Sequence, residues 1–470
     1  MARKPSPSAP AAKVAKRAAP KRSPGKKVVA RKRRGAAAPR AVIRMYRQGL
    51  GDSFLLSINR DGGQPYRVMI DCGVIIGTED AAKKMTAVID DIAAVTGGRI
   101  DLLLLTHQHW DHLSGFIQAE EALAKLDVGA VWVAWTEDPD DALAQELRGE
   151  RETALASLRL AGAALTAMGA GTELEELDGI TSFFGAAGGA TTQQALDKAM
   201  SLVSAGALTY VGPHSVPFDV PDTSARIYVM GPPHDAKQIR RTLPSKREPE
   251  TYGVAANQFS ADVASALMET DNSAPFDPIH AIPIETARTV PFFRTRYWGP
   301  GDAAPGWRMI DATWLSGATE LALALDSATN NTSLVVAVEL DDDDVLLFAA
   351  DAQVGNWLSW QDLSWKVGGR DVTGPDLLQR TLFYKVGHHG SHNATLREKG
   401  LELMSRLKLA AIPVDKDMAV KKRWTEMPLN ELVEALEAKA SNGVLRSDRS
   451  PKAPIPNVTV KGLYFEITIP

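Results

Sequence analysis

Cysteine is nearly absent: Cys72 is the single one in 470 residues. No intrachain disulfide can form, and a reducing compartment is the expectation. Long apolar runs are missing too, and none approaches the roughly 18 residues of a membrane span. The N-terminus carries charge but no apolar stretch ahead of a cleavage site, so no secretory signal is read there and a cytoplasmic location is expected. Residues 1–40 contain no Asp or Glu, yet they hold 14 of the 53 Lys and Arg. They have almost nothing large and apolar. Such a segment cannot bury enough surface to offset its ordering entropy, so it is expected to be a disordered basic arm. The other 39 basic residues face 57 acidic ones, a balance of −18 for the body. That balance argues against extended duplex binding by the body itself, whereas the arm can neutralise phosphates. The arm also reads as a targeting segment or a solubilising tail.

What is present is an ordinary globular composition, 44 % hydrophobic, long enough for a large core over residues 41–470. Val42–Tyr46, Phe54–Ile58 and Tyr66–Ile70 read as strands, with Asp61-Gly62-Gly63 as a hairpin signal. A helix is predicted over about Asp80–Ala94, then the continuous apolar strand Leu102–Leu105. A helix is expected to open near Ser114, and Val128–Trp135 reads as a strand. Residues 137–205 are Ala-rich with helical period and read as a helical insertion. Residues 235–312 are Pro-rich and read as loops inserted over the core. Ala225–Met230, Leu334–Leu340, Val345–Ala349, Phe383–Val386, Leu409–Val414 and Asn457–Ile469 read as strands; Thr395–Leu407 and Leu429–Ala440 read as helices. Strands and helices interleave in two halves. This predicts an α/β chain with two sheets face to face and helices outside, an αββα sandwich.

Histidine is rare but clustered. Of nine, three fall in His107-Gln108-His109-Trp110-Asp111-His112 and three more are His388, His389 and His392. His107 and His109 lie two apart at the end of a buried strand, so both can point the same way. Asp111 and His112 follow on the turn and can face a second ion. Imidazole nitrogen and carboxylate oxygen are zinc-type ligands. Asp351 ends the strand Val345–Ala349 and is the candidate bridging carboxylate. His388 and His389 end the strand Phe383–Val386; one is expected to be a ligand and the other a supporting or substrate contact. His392 reads as peripheral. His234, ahead of His214, is the candidate for a further ligand. Asp71 ends a strand near the first cluster and is expected to accept from a ligand histidine's free N–H, fixing its tautomer.

The segment Thr106–Gly115 resembles the signature of the metallo-β-lactamase superfamily. The order of motifs is similar to the ComEC-like branch, the soluble domain of the DNA-uptake competence channel. Gly49-Leu50-Gly51-Asp52-Ser53 is similar to its Gly-x-Gly-Asp-Ser, and Met69-Ile70-Asp71-Cys72-Gly73 to its Ile-Asp-x-Gly. Asn331-Thr332-Ser333-Leu334-Val335 resembles its Asn-x-Ser-Leu-Val. Phe348-Ala349-Ala350-Asp351-Ala352 stands where it has Gly-Asp-Ala, with Ala350 in place of the glycine. Lys385–Ser391 matches its Lys-Val-x-His-His-Gly-Ser. The late His-Pro of that branch is replaced by Glu426-Met427-Pro428. The resemblance implies a hydrolase with two divalent ions, zinc or alternatively manganese, and a bridging hydroxide. Asp111, Lys385 and Ser391 are then the catalytic candidates, with Lys385, Ser391 and Asn331 as contacts to a substrate phosphate.

Three functions from different classes follow: a phosphodiesterase or nuclease, favoured by the motif order and the arm; a hydrolase of a small ester, lactone or β-lactam; and a non-catalytic metal-binding protein. If the arm is a nucleic-acid tether, deleting residues 1–40 flattens the dependence of binding on salt concentration by several counterions. Equal slopes for the full and shortened chains would place any such binding in the body.

Overall fold

The run Leu102-Leu103-Leu104-Leu105 shows how the layers arise. Successive side chains of a strand point to opposite faces. Leu102 and Leu104 enter one core, while Leu103 and Leu105 enter another. All four are buried, which is why the run is continuous rather than alternating. The computed structural model describes residues 38–168, 177–184, 190–245, 250–251, 282, 284–298 and 310–470. The arm up to residue 37 and much of the Pro-rich insertion lie outside the described residues. The folded unit is Pro39–Pro470.

Two large sheets carry the unit. The first has eight strands, in the spatial order Val458–Val460, Tyr464–Ile469, Ala41–Tyr46, Phe54–Ile58, Tyr66–Ile70, Leu102–Leu105, Val131–Ala134, Leu208–Val211. It is antiparallel up to Tyr66–Ile70 and parallel from there on. The second has seven, in the order Val444–Arg446, Leu409–Ile412, Thr381–Lys385, Val345–Phe348, Val335–Glu339, Arg226–Gly231, Phe218–Asp219. Its first four are mutually parallel and the rest antiparallel. The sheets share one core, in which Ile43, Phe54, Ile70 and Leu104 meet Val229, Val336, Phe348 and Phe383. The rings of Phe54 and Phe348 touch edge to face, 5.9 Å between centroids.

Each sheet buries its other face under helices. Helix Ala81–Thr96 turns Met85, Val88, Ile89 and Ile92 to the first sheet, the i, i+3, i+4, i+7 stripe of an amphipathic helix. Helix Ile310–Asn331 does the same on the second sheet with Ala318, Leu321, Ala322 and Leu325. Trp357, Trp360, Leu432 and Leu436 join that layer. The order through the molecule is therefore helix, sheet, sheet, helix.

Several predicted elements differ. The 22-residue helix Ile310–Asn331 falls partly in the segment read as Pro-rich loops. Its Leu321-Ala322-Leu323-Ala324-Leu325 alternates with the period of a strand and hides the helical stripe. Thr395–Leu407 is not a helix: it holds only the 3₁₀ turn Leu401–Leu403. Gly400 breaks it, since a Cβ there would sit 2.3 Å from the Leu396 carbonyl oxygen. Asn457–Ile469 is two antiparallel strands, Val458–Val460 and Tyr464–Ile469. The helical turn expected near Ser114 already starts at Trp110. Within 137–205 the described residues include the helices Ala142–Met168 and Thr192–Met200 and helical residues 177–181.

Arg40, counted with the basic arm on composition, belongs to the fold. Its backbone N–H donates to Ile469 O at 2.8 Å. Its guanidinium donates to Asp341 O and to Asp344, both at 2.7 Å. These are partly buried, charge-assisted bonds. Arg40→Ala is expected to destabilise by about 2 kcal/mol, while deletion of residues 1–38 leaves the denaturant midpoint unchanged. An unchanged midpoint for Arg40→Ala would return this residue to the arm.

Candidate metal centre

Parallel strands deliver their C-terminal ends to one place. Leu102–Leu105 of the first sheet runs into Thr106–His109. Val345–Phe348 and Thr381–Lys385 of the second run into Asp351 and into His388-His389. The Leu334 N–H donates to Thr106 O at 2.8 Å and ties the two sheets together at this point. Two glycine-bearing loops then clamp the histidine segment by its backbone. Asp52 N donates to Asp111 O at 3.0 Å, Cys72 N to His112 O at 2.8 Å, and Gly115 N to Cys72 O at 2.8 Å. The approach is too close for a side chain. A Cβ on Gly73 would lie 2.3 Å from the Asp111 carbonyl carbon, and one on Gly51 2.5 Å from its oxygen. Gly51, at φ 147°, is also in backbone territory that other residues rarely adopt.

Asp52, His112, Asp351 and His389 are all buried, and their ligand atoms lie within 4.8 Å of one another. This group could hold a metal ion. The orientation of the rings refines it. Nδ1 of His112 is 2.7 Å from Asp71 Oδ2, and Nδ1 of His389 is 2.6 Å from Pro413 O. Each Nδ1 is thereby committed, and each Nε2 is turned toward the carboxylates of the cluster. The Nε2 atoms face Asp351 Oδ2 at 3.2 and 3.4 Å, and Asp111 Oδ2 at 3.7 and 2.8 Å. Donors bound to one tetrahedral ion at about 2.0–2.1 Å lie roughly 3.3 Å apart. Asp111, His112, Asp351 and His389 match that spacing. Asp52 instead approaches the Nδ1 edges, at 3.9 Å from His112 and 3.8 Å from His389. It pairs with Lys385 Nζ at 2.5 Å, which makes it a brace rather than a ligand.

His107 and His109 form a second pair of donors, with Nε2 of His107 3.0 Å from Nδ1 of His109. The His107 and His112 rings lie 4.2 Å apart between centroids, so the two groups of donors adjoin. Buried atoms without hydrogen-bond partners concentrate here: His109 Nε2, Asp111 Oδ1, Asp326 Oδ1 and His388 Nδ1. Orphaned buried polar atoms are costly and call for a partner. A divalent cation beside Asp111 suits a carboxylate oxygen left in that state.

The electrostatics point the same way. Burial works to lower the pKa of His112, but the carboxylates of Asp351, Asp111, Asp52 and Asp71 raise it well above the usual value. Burial likewise opposes the charge of His389, which Asp351 and Asp111 raise. Burial would raise Asp351, yet Lys385, His112 and His389 hold it well below the carboxylate range. Burial, helped by the charges of His112 and His109, drives His107 well below its usual value. Burial takes His109 down to about 3 and His388 to about 4. Burial thus favours in His107 and His109 the neutral form that ligates metal, while at His112 and His389 the carboxylates favour positive charge at that point.

The structure sorts the sequence candidates. His107, His109, Asp111, His112, Asp351 and His389 come together. Asp71 supports His112 and also accepts from Thr106 N at 2.9 Å and Thr106 Oγ1 at 2.6 Å. Of the adjacent histidines, His389 joins the cluster, while His388 lines a cavity of about 300 Å³ with Ser391, His392, Asp326, Arg423 and Trp424. Lys385 is corrected. It is 1 % exposed, and its ammonium group donates to Asp52, to Ala350 O at 2.7 Å and to Asp351 Oδ1 at 3.1 Å. All three N–H bonds are used inside the protein, so it does not meet substrate. Asn331 is corrected likewise. Its amide donates to Gln238 O, Ile239 O and Arg241 O and accepts from Gln353 N and Asn356 N, clamping two loops. His234 is not brought to the cluster; it pairs with Asp141 at 2.8 Å and lies on Trp135. His214 is exposed in a turn.

Sequence reasoning passed over Asp52 and Asp326. Asp52 sat in a quoted motif, so the signal was there. Asp326 lies on the unpredicted helix, and no local pattern marked it. Comparison with models of known families and with curated protein sequences finds no match to this chain.

Lys385→Met leaves Asp52 and Asp351 buried without their cation. Breaking a buried pair in this way costs about 3–5 kcal/mol. The variant is expected to lose that much in chemical denaturation with chelator present. Undiminished stability would mean that Lys385 is not the brace.

Proposed function

We propose that this protein is a metal-dependent hydrolase of the metallo-β-lactamase fold, with two divalent ions, zinc or manganese, held between its sheets. The observation that carries the reading is the convergence of Nε2 of His112 and His389 with Oδ2 of Asp111 and Asp351 at 2.8–3.7 Å, beside the His107–His109 pair. The motif order supports it, as does the helix–sheet–sheet–helix layering. Asp111, His112, His389 and Asp351 would hold one ion; His107 and His109 would hold the other, with Asp351 shared. Bound there, the ions supply water activation near neutral pH and polarisation of the scissile phosphoryl or acyl group.

The chain's own residues supply orientation. Asp71 and the Pro413 carbonyl fix the rings of His112 and His389. Lys385 pins Asp351 from behind. His388 and Ser391 line the cavity beside the centre and offer hydrogen bonds to a substrate placed there. The cavity is at the small end for a ligand pocket, so it suits one nucleotide-sized group rather than a duplex. Phosphodiester hydrolysis is the favoured reaction, on the motif order and the basic arm. Lys385 no longer contributes to that preference. The apolar wall of Phe183, Leu323, Trp424 and Met427 favours a second reading, hydrolysis of a small ester or lactone.

The full-length protein is expected to bind close to two zinc or manganese ions per chain. Asp351→Ala and His109→Ala are each expected to lower that number and to reduce turnover of a bis-aryl phosphate at least 100-fold. Turnover of bis-aryl phosphate, single-stranded DNA, a cyclic dinucleotide and a simple lactone at matched metal loading decides the substrate class. Lactone turnover orders of magnitude above the three phosphodiesters would select the second reading. Wild-type protein with no bound ion would remove both.

A further inference from the structure

His109 is enclosed by aromatic rings from outside the two sheets. It is fully buried. Phe183 stacks on its ring at 5.1 Å and Phe184 meets it edge-on at 5.0 Å. Its Nδ1 faces His107 Nε2 at 3.0 Å. If Nδ1 is to give its lone pair to an ion, the proton must reside on Nε2, and that N–H needs an acceptor. Nε2 has no hydrogen-bond partner, and neither has Asp326 Oδ1; the two lie 3.7 Å apart. A shift of about 0.8 Å closes that gap to a hydrogen bond. The other oxygen of Asp326 is already fixed, accepting from Asn330 Nδ2 at 3.2 Å. Asn330 Nδ2 also lies 3.3 Å from His388 Nε2.

We propose that Asp326, on helix Ile310–Asn331, is a positioning residue that accepts Nε2–H of His109 and so presents Nδ1 of that ring, beside Nε2 of His107, to a divalent ion. This rests on the metal-centre reading above and deepens it. The helix thus becomes part of the centre rather than a cover over the sheet. Asp326 is 7 % exposed and would otherwise be a carboxylate buried with half of its acceptor capacity unused. Asn330, one helical turn on, holds that carboxylate in place and links it to the cavity wall at His388.

The test uses the full chain with Asp326→Leu and Asp326→Asn, zinc titrated against a chromogenic chelator, and cobalt(II) absorption as a signature of ligand geometry. Asp326→Leu is expected to weaken one of the two ions by about 10–100-fold, to leave the other within about twofold, and to change the cobalt spectrum. Asp326→Asn keeps an acceptor oxygen and is expected to recover most of the affinity and the wild-type spectrum. Chelator-treated Asp326→Leu is expected to unfold no earlier than chelator-treated wild type. Three results would overturn the proposal: wild-type affinity for both ions in the Leu variant, an Asn variant no better than Leu, or a loss of affinity that follows a lower melting point of the chelated protein. Wild-type protein that binds no zinc would instead overturn the metal centre itself.

Discussion

Burying several carboxylates at one point is the constraint on which the rest of this structure depends. Asp52, Asp71, Asp111 and Asp351 are at most 2 % exposed. An uncompensated ion in such a place is worth several kcal/mol against folding. Lys385 answers two of them, and the rings of His112 and His389, whose pKa the carboxylates raise against burial, lie beside the others. The compensation crosses from one sheet to the other. Asp52 and His112 come from the first sheet's strand ends and loops; Asp351, Lys385 and His389 come from the second. The mutual position of the two sheets at this end is set by that exchange of charge as well as by the apolar core beneath it. The carboxylates that raise the pKa of His112 and His389 equally favour a divalent cation, and such an ion would compete with a proton for each Nε2.

Holding those groups requires backbone that ordinary sequences avoid. Asp71, Ala350, His388 and His389 all have positive φ, between 43° and 53°. Left-handed backbone is unfavourable for each of them by about 1–2 kcal/mol, and such residues collect where structure around them fixes the geometry. The fixing is visible. Asp71 is bonded to Thr106 and His112, the Ala350 carbonyl accepts from Lys385 and from His388 N, and His389 is bonded to Pro413. Ala350 stands at a position whose left-handed backbone suits glycine best. Here alanine takes a left-handed conformation, at φ 47°, with its carbonyl held by Lys385.

The strands were legible because burial on one or two faces writes a period of two, or an unbroken apolar run, into the chain. The histidine segment at the end of Leu102–Leu105 was legible for the same reason: the strand locates the tip, and residue type does the rest. Pairings between distant residues were not. His389 meets Asp111 across 278 positions and His112 meets Asp351 across 239, so the choice between His388 and His389 is made by tertiary structure alone. Lys385 and Asn331 misled for a related reason. A lysine beside a histidine pair reads as a substrate contact when its burial is unknown, and an asparagine before a strand reads as a phosphate contact when the loops it clamps are unseen.

A segment read from the sequence as an insertion and a helix not predicted from it converge on one ring. Phe183 and Phe184 come from the helical stretch 137–205, and Asp326 comes from the helix that follows the Pro-rich stretch. Both reach His109, one by packing and the other by facing its free nitrogen. Gln108, next to it, donates to Glu137 and Gln193 of the first insertion. The two sheets alone would leave His109 at an open strand tip with freedom to rotate. Aromatic packing removes that freedom, and a carboxylate on the far side decides which nitrogen carries the proton. Phe183 also stacks on Trp424 at 4.6 Å, and both residues line the cavity beside His388. One side chain thus shapes the pocket and packs on the His109 ring, so a substitution chosen to widen the pocket at Phe183 would also loosen the placement of that ring.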